Sequence, residues 1–455
     1  MKKIIKNLAL LLCISLLLTA LAACSETKKT EDRDFSLSTL SPVDPDTVPE
    51  GAKEFSAVKP GTYTILCHSD VNGLLGKTGE SDDIAEKEIY LRNAALSEKY
   101  SIELKELNIT GNTVDFVRNS TLSGLVNYDI ASLTYREAML LTVSNSLCPL
   151  SDLGGYYQNG EMFSSSLSVG GKQYIEDFNV FAPRADSTYA LALNRELLKS
   201  ASLEDSMLRS VSRGEWTYET VHGFLRGNGT VGFSTGGIEA LWLGGGVHFY
   251  ENGMGDLPAY KNLEAKANDV YSALKKLNDE GYLERTKSVE GENTFVKIAK
   301  RTLLTVGTVG QIAAAKRDGL DLALLPMPKQ TKEDKYSSFV SPDALCTVVP
   351  AGDEEKNSVA FALTGMLYEY DLDRVRREVF SPSDGDSNSR EGEMFDIVLS
   401  SRALDLPAVY GIGGLYEYLD ESLRHYLIPK AFLEGVDDRI QMAVAAVEIM
   451  RENGR

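Results

Sequence analysis

The chain has 455 residues, 43% hydrophobic and 25% charged, the balance of a globular protein. At roughly 100–200 residues per domain it has room for two or three cores. Formal net charge is −19 at pH 7; residues 1–23 hold Lys2, Lys3 and Lys6 and no acid, so without them the charge is −22. Such a surface repels nucleic acid and anionic lipid, which excludes both as direct partners.

After the lysines comes an almost unbroken apolar run from Leu8 to Ala23. It is short of the roughly 20 residues a helix needs to cross the hydrocarbon core, and with its basic start it reads as a secretory signal. The ending Leu21-Ala22-Ala23-Cys24 resembles a lipobox, in which cleavage leaves an acylated Cys24 as the new N-terminus. That lipid would hold the protein at the outer face of the bacterial cytoplasmic membrane and be its single contact with the bilayer. An uncleaved anchor ending by chance in Ala-Ala-Cys is the alternative. Residues 24–60 are rich in Ser, Thr, Asp, Pro and Lys and predict a flexible tether.

The first folded element is the apolar strand Thr62–Cys67, opening into His68-Ser69-Asp70. Ser81-Asp82-Asp83 can cap a helix to about Tyr100, with Ile84, Leu91, Ala94 and Ala95 on one face. A strand Ile102–Leu107, a helix near Thr113–Leu122, a strand Tyr128–Leu133 and a helix from Tyr135 follow. That is the rhythm of a parallel sheet with covering helices. Gly170 to Tyr174 reads as a turn, Phe178–Ala182 and Tyr189–Leu193 as extended, and Asn194–Lys199 as helical. Thr217 caps a helix after Trp216. In Lys261–Glu280, Leu263, Ala267, Val270, Leu274 and Leu277 repeat at helical spacing, a stripe that core packing explains better than a partner. Leu303–Val306, a helix Val309–Arg317 and Leu320–Leu325 resume the alternation, and Pro326-Met327-Pro328 breaks it. Ser341–Val349 is strand-like, helices span about Asn357–Tyr370 and Leu372–Phe380, and Ser381–Arg390 is a polar break. The rest is mostly helical, with Ile440, Ala443, Val444 and Val447 on one face.

Beyond Cys24 the chain holds Cys67, Cys148 and Cys346, an odd number in an exported protein. Buried thiols are the default, with one disulfide plus a leftover thiol left open. His68, His222, His248 and His425 are scattered, and neither H-E-x-x-H nor C-x-x-C occurs, so no metal and no cofactor is expected. Gly73-x-x-Gly76-Lys77-Thr78 fails the phosphate-loop spacing. Gly232-Phe233-Ser234-Thr235-Gly236 matches the nucleophile elbow of hydrolases, but the preceding Gly227-Asn228-Gly229-Thr230 is a poor strand, and 38 glycines make a chance match the better account. Aromatic and polar residues in Gly-rich loops (Tyr135, Trp216, Trp242, Tyr250, Tyr410) suit a neutral carbohydrate, whose C–H faces pack on rings and whose hydroxyls need carboxylates or amides. Trp216 reads as a helix-start core residue; Trp242, between Leu241 and Leu243, fits core and wall equally.

Several segments resemble one family in order. Lipobox, tether and TYTILC, then Leu96-Ser97-Glu98-Lys99-Tyr100, Tyr128-Asp129-Ile130-Ala131, Leu150-Ser151-Asp152-Leu153, Gly171-Lys172-Gln173-Tyr174, Asn194-Arg195-Glu196-Leu197, Glu215-Trp216-Thr217-Tyr218-Glu219 and Leu324 to Pro328 are similar to extracellular solute-binding lipoproteins of ABC importers. They belong to the sugar-binding, maltose-binding-protein-like group, and Gly392 onward looks like its divergent Firmicutes members. The double Tyr usual before Asn194 is Leu191-Ala192 here, and the Pro before Trp216 is replaced by Gly214-Glu215.

The resemblance implies an α/β, two-lobed periplasmic-binding-protein-like fold of type II, with two or three hinge crossings. Lobe 1 would take 61–183 and 336–386, and lobe 2 184–335 and 387–455. It implies a monomer that holds a small solute, a carbohydrate by preference, between the lobes and passes it to ABC transporter permease subunits, with no catalytic residue. Ligand outside the carboxyl ends of strands selects Asp70 and Tyr135; Asp343 could accept a hydroxyl, and Trp242, Tyr250 and Tyr410 the facing wall. A surface-anchored hydrolase acting on a glycan or ester, through Ser234 or a carboxylate pair, is the alternative.

Overall fold

The computed structural model describes residues 58–68, 73–76, 81–150, 168–169, 172–175, 179–248, 264–288, 293–352, 354–368, 372–381, 390–405, 408–409, 414–425 and 427–439. The signal, Cys24, most of the tether, Asp70, Tyr250, Tyr410, Leu263 and the Ile440–Val447 face lie outside them.

The first lobe is built on a four-stranded sheet. Strand β1 (Gly61–Cys67) pairs in parallel with β2 (Ile102–Asn108) and β3 (Ile130–Thr134), joined through α1 (Ile84–Tyr100) and α2 (Thr113–Ser123). β3 runs straight into α3 (Tyr135–Val143). Alternation along the strands feeds both faces: Tyr63, Ile65 and Cys67 enter one core while Leu66, Ala131 and Leu133 enter the other.

The second lobe carries five strands. β4 (Tyr189–Asn194) leads to α4 (Ala201–Ser212) and α5 (Tyr218–Leu225). Then come β5 (Val231–Phe233), α6 (Gly237–Gly244), α7 (Glu264–Asp279), β6 (Leu283–Arg285), α8 (Thr294–Ala299), β7 (Leu304–Thr308), α9 (Val309–Arg317) and β8 (Leu322–Leu325). Their order is β8-β4-β7-β5-β6, with β4 antiparallel to both neighbours. Leu191 and Leu193 face one core, Ala190 and Ala192 the other.

The chain crosses between the sheets more than once. Residues 179–188 enter β4, and the return passes β9 (Ser338–Phe339) to β10 (Leu345–Val348), which pairs antiparallel with β3 and so completes the first sheet. The two crossings lie side by side: Thr188 bridges Val340, and Ser341 N donates to Ser187 O at 2.9 Å. After α10 (Glu354–Tyr368), α11 (Leu372–Phe380) packs on α1 of the first lobe and on α12 (Arg390–Ser400) of the second. β11 (Arg402–Ala403) then pairs with β9, and α13 (Leu415–Arg424) joins the second lobe's core. The fold is α/β with two lobes and hinge crossings.

Several local expectations are corrected. The buried face of α1 is Ala85, Glu88, Ile89, Arg92, Asn93 and Leu96, rather than Ile84, Leu91, Ala94 and Ala95. It turns that way because the Arg92 guanidinium is sunk in the core, where it donates to Val180 O, Leu367 O and Asn93 Oδ1. Residues 179–182 form a turn, closed by Ala182 N on Asn179 O, instead of an extended segment. Helix after Asn194 is one 3-10 turn, Arg195–Leu197, and the longer helix begins only at Ala201. Ser341–Val349 divides at a turn in which Ala344 N donates to Ser341 O. Cys67, Cys148 and Cys346 are buried as thiols.

Candidate functional site

Two strand ends meet across the hinge, each marked by the same device. β3 ends at Thr134, whose Oγ1 accepts from Glu137 N (3.2 Å) while Thr134 N donates to Glu137 Oε2 (3.1 Å). β7 ends at Thr308, which makes the same reciprocal pair with Gln311, at 3.3 and 3.0 Å. Both are capping boxes, which turn a strand abruptly into a helix. The first-turn amides of the helices hang on the crossings: Tyr135 N donates to Ala344 O, Arg136 N to Pro342 O and Val309 N to Thr188 O.

A cavity of about 300 Å³ opens here, lined by Tyr135, Asn179 and Leu345 from the first lobe and Thr308 from the second. The crossings line it as well, through 182–184, Asp186, Ser187, Ser341, Asp343 and Ala344, together with Arg402. Asn179 is fixed by donating to Ser132 Oγ (3.1 Å) and accepting from Phe181 N (3.0 Å). Arg402 donates from Nε to Thr188 Oγ1 at 3.1 Å.

A second cavity, about 110 Å³, adjoins it and shares Ser341 and Asp343. Its walls hold Arg136, Glu239, Glu417 and the rings of Tyr189, Phe339 and Tyr416. Arg136 Nε donates to Asp343 Oδ1 at 2.7 Å, a pair open to solvent. Tyr189 and Phe339 stack at 5.6 Å, and Tyr416 hydroxyl donates to Asp405 Oδ2 at 2.6 Å. Glu239 stands in the first turn of α6, after Gly236 in the left-handed region. Burial pushes its carboxyl up to about 7; Glu417 and Asp420 push the same way, while its own amide and Arg136 pull it back.

Of the residues singled out in the sequence, Tyr135 and Asp343 border these cavities, Tyr135 almost wholly buried and Asp343 on both. Trp242 is a core residue: it has no exposed surface, and its ring stands edge-on to Phe432 at 5.5 Å. The wall expected of it is built by Tyr189, Phe339 and Tyr416. Trp216 is core as well, with Nε1 donating to Pro326 O. Asp70, Tyr250 and Tyr410 lie outside the described residues.

Glu239, Arg136, Tyr189 and Arg402 were not singled out. One signal was legible: Thr134-Tyr-Arg-Glu137 and Thr308-Val-Gly-Gln311 have the [ST]-x-x-[EQ] spacing of a capping box at the end of an apolar run. Ser234 does sit between a strand and a helix, β5 and α6. Yet the side-chain contacts described for the histidines go elsewhere: His68 to Glu137, His222 to Glu280 and His248 to Ser337.

No protein-family model matches the chain, and no curated protein matches it in sequence. Solved structures do share its fold. The sugar-binding protein MalE from the phytopathogen Xanthomonas citri has a TM-score of 0.59 at 9% identity, over 86% of this chain and 99% of that one. A cyclo/maltodextrin-binding protein complexed with maltotetraose gives 0.53 at 14%, over 87% and 97%. The ABC substrate-binding protein Lmo0181 from Listeria monocytogenes, in complex with cycloalternan, gives 0.52 at 12%, over 85% and 100%. These identities speak to the fold, which is that of periplasmic sugar-binding proteins of type II.

Proposed function

We propose that this chain is an extracellular substrate-binding lipoprotein that captures a small solute, a sugar or oligosaccharide, between its lobes and delivers it to the permease of an ABC importer. The observation that carries this reading is the 300 Å³ cavity at the facing ends of β3 and β7, floored by the two crossings. Ligand held there touches both lobes and gains contacts as they approach, so binding selects the closed form, and a permease can read closure. The neighbours' names and bound sugars support the carbohydrate assignment. In this reading Cys24 carries the lipid, residues 24–60 form the tether and the protein acts as a monomer on the outer face of the membrane. The lobes are 61–183 with 336–386 and 184–335 with 387–455, and Asp70, Tyr250 and Tyr410, outside the described residues, are expected as further ligand contacts.

A thermal-shift screen against mono- and oligosaccharides, peptides and polyamines tests it. A ligand at 100 times its dissociation constant adds about 2.7 kcal/mol of stability. A saccharide that shifts the transition and is recovered unchanged supports a receptor. A saccharide consumed during the assay identifies a hydrolase instead, and a shift with peptides alone removes the sugar assignment.

A further inference from the structure

The smaller cavity has a charge pattern that a neutral sugar does not explain. Glu239 Oε2 exposes less than 1 Å² and accepts no hydrogen bond among the described residues. A carboxylate oxygen buried without a partner is costly, and the fold has left this one, on a half-buried side chain whose carboxylate otherwise takes a hydrogen bond from its own amide, at a cavity wall. The nearby charges relieve it only in part. Arg136 is engaged by Asp343, and Asp420 is held by Arg285 and Arg424. Glu417, exposed at the rim, has no ion pair among the described residues. The rings of Tyr189, Phe339 and Tyr416 line the same cavity. A carboxylate set among aromatic rings is the chemistry that recognises an ammonium group, through a charge-assisted hydrogen bond and cation–π attraction.

We infer that the 110 Å³ cavity is a cation subsite and that the solute carries a protonated amine paired with Glu239, its body filling the larger cavity through the shared wall at Ser341 and Asp343. This rests on the receptor reading above and narrows it to an amine-bearing solute, an amino sugar or amino oligosaccharide. Specificity follows from the same feature: a neutral analogue that closes the cavity leaves Glu239 Oε2 without a partner, whereas an ammonium supplies one.

The test is calorimetry on the intact chain in detergent, with the disaccharide of glucosamine, its N-acetylated counterpart and spermidine, on wild type and Glu239→Gln. The expected result is at least tenfold tighter binding of the free-amine disaccharide, with that preference falling to about one in Glu239→Gln. Equal affinity of the two disaccharides for wild type overturns the subsite and leaves the sugar receptor standing. A preference that persists in Glu239→Gln overturns the role of this carboxyl. Spermidine binding that depends on Glu239, with neither disaccharide bound, keeps the subsite and removes the sugar; no binding of any of the three overturns the subsite. Should Glu239→Gln lose its native circular dichroism, the wild-type comparison of the two disaccharides decides alone.

Discussion

Arg376 grips Asp186 with both arms: Nε donates to Oδ1 at 2.7 Å and Nη2 to Oδ2 at 2.8 Å. Nη2 also reaches Asp83 at 3.2 Å. Asp186 belongs to the first crossing, Asp83 caps α1 in the first lobe, and Arg376 rides on α11. Alongside, Arg317 of the second lobe donates to Asp83 (2.7 Å), and Arg184 to Asp373 (2.8 Å). The hinge region is thus tied by a network of largely buried charge. Removing one member leaves the others uncompensated, which in buried pairs costs about 3–5 kcal/mol. Asp186→Asn should lower unfolding free energy toward the low end of that range, because the crossing is partly open to water, as read from urea denaturation. A change under about 1 kcal/mol would mean that the guanidinium is satisfied without Asp186.

Glu239 sets a pH dependence with a definite sign. Its folded-state value of about 7 lies above the ordinary 4.5, so between those values the folded protein holds a proton that the unfolded chain has lost. Stability therefore falls as pH rises through that window, by roughly 3 kcal/mol, and is flat above it. Glu239→Gln removes the penalty. The variant should melt above wild type at pH 8, and the gap should close near pH 5. Parallel melting curves across that range would show that the carboxyl titrates normally.

Ser341 lines both cavities from the crossing between them. Ser341→Trp should fill the shared wall and weaken solute binding by at least a hundredfold, while far-ultraviolet circular dichroism stays unchanged. Retained affinity in a folded variant would move the binding site elsewhere.

Both tryptophans, Trp216 and Trp242, are without exposed surface. Their emission should be blue-shifted, resist acrylamide quenching and change little when solute binds. A strong ligand-induced change in emission would place one of them nearer the cleft than the core packing on Phe432 allows.

The alternating architecture was legible because it depends on apolar periodicity, and α9 and α11 match their expected bounds, Val309–Arg317 and Leu372–Phe380. The face of α1 was not legible: a buried Arg92 and Asn93 look like surface residues until the carbonyls that receive them are known. Trp242 illustrates the converse, since an aromatic flanked by leucines in a Gly-rich stretch fits core and wall equally. Glu239 is one among 66 acidic residues, and nothing local distinguishes it. What sets it apart is the company of Tyr189, Phe339 and Glu417, brought from distant parts of the chain by the crossings.

The Arg92 guanidinium also dictates an order of events. One acceptor, Val180 O, precedes the main stretch of the second lobe; the other, Leu367 O, follows it, 275 residues beyond Arg92. The first sheet likewise waits for β10 to reach β3. Strands β4 to β8 lie between these points and can collapse on one another first. Contacts this far apart in sequence form slowly. The N-terminal lobe, although synthesised earlier, is therefore the last to mature, and refolding should show early protection in β4–β8 and a late phase in β1–β3.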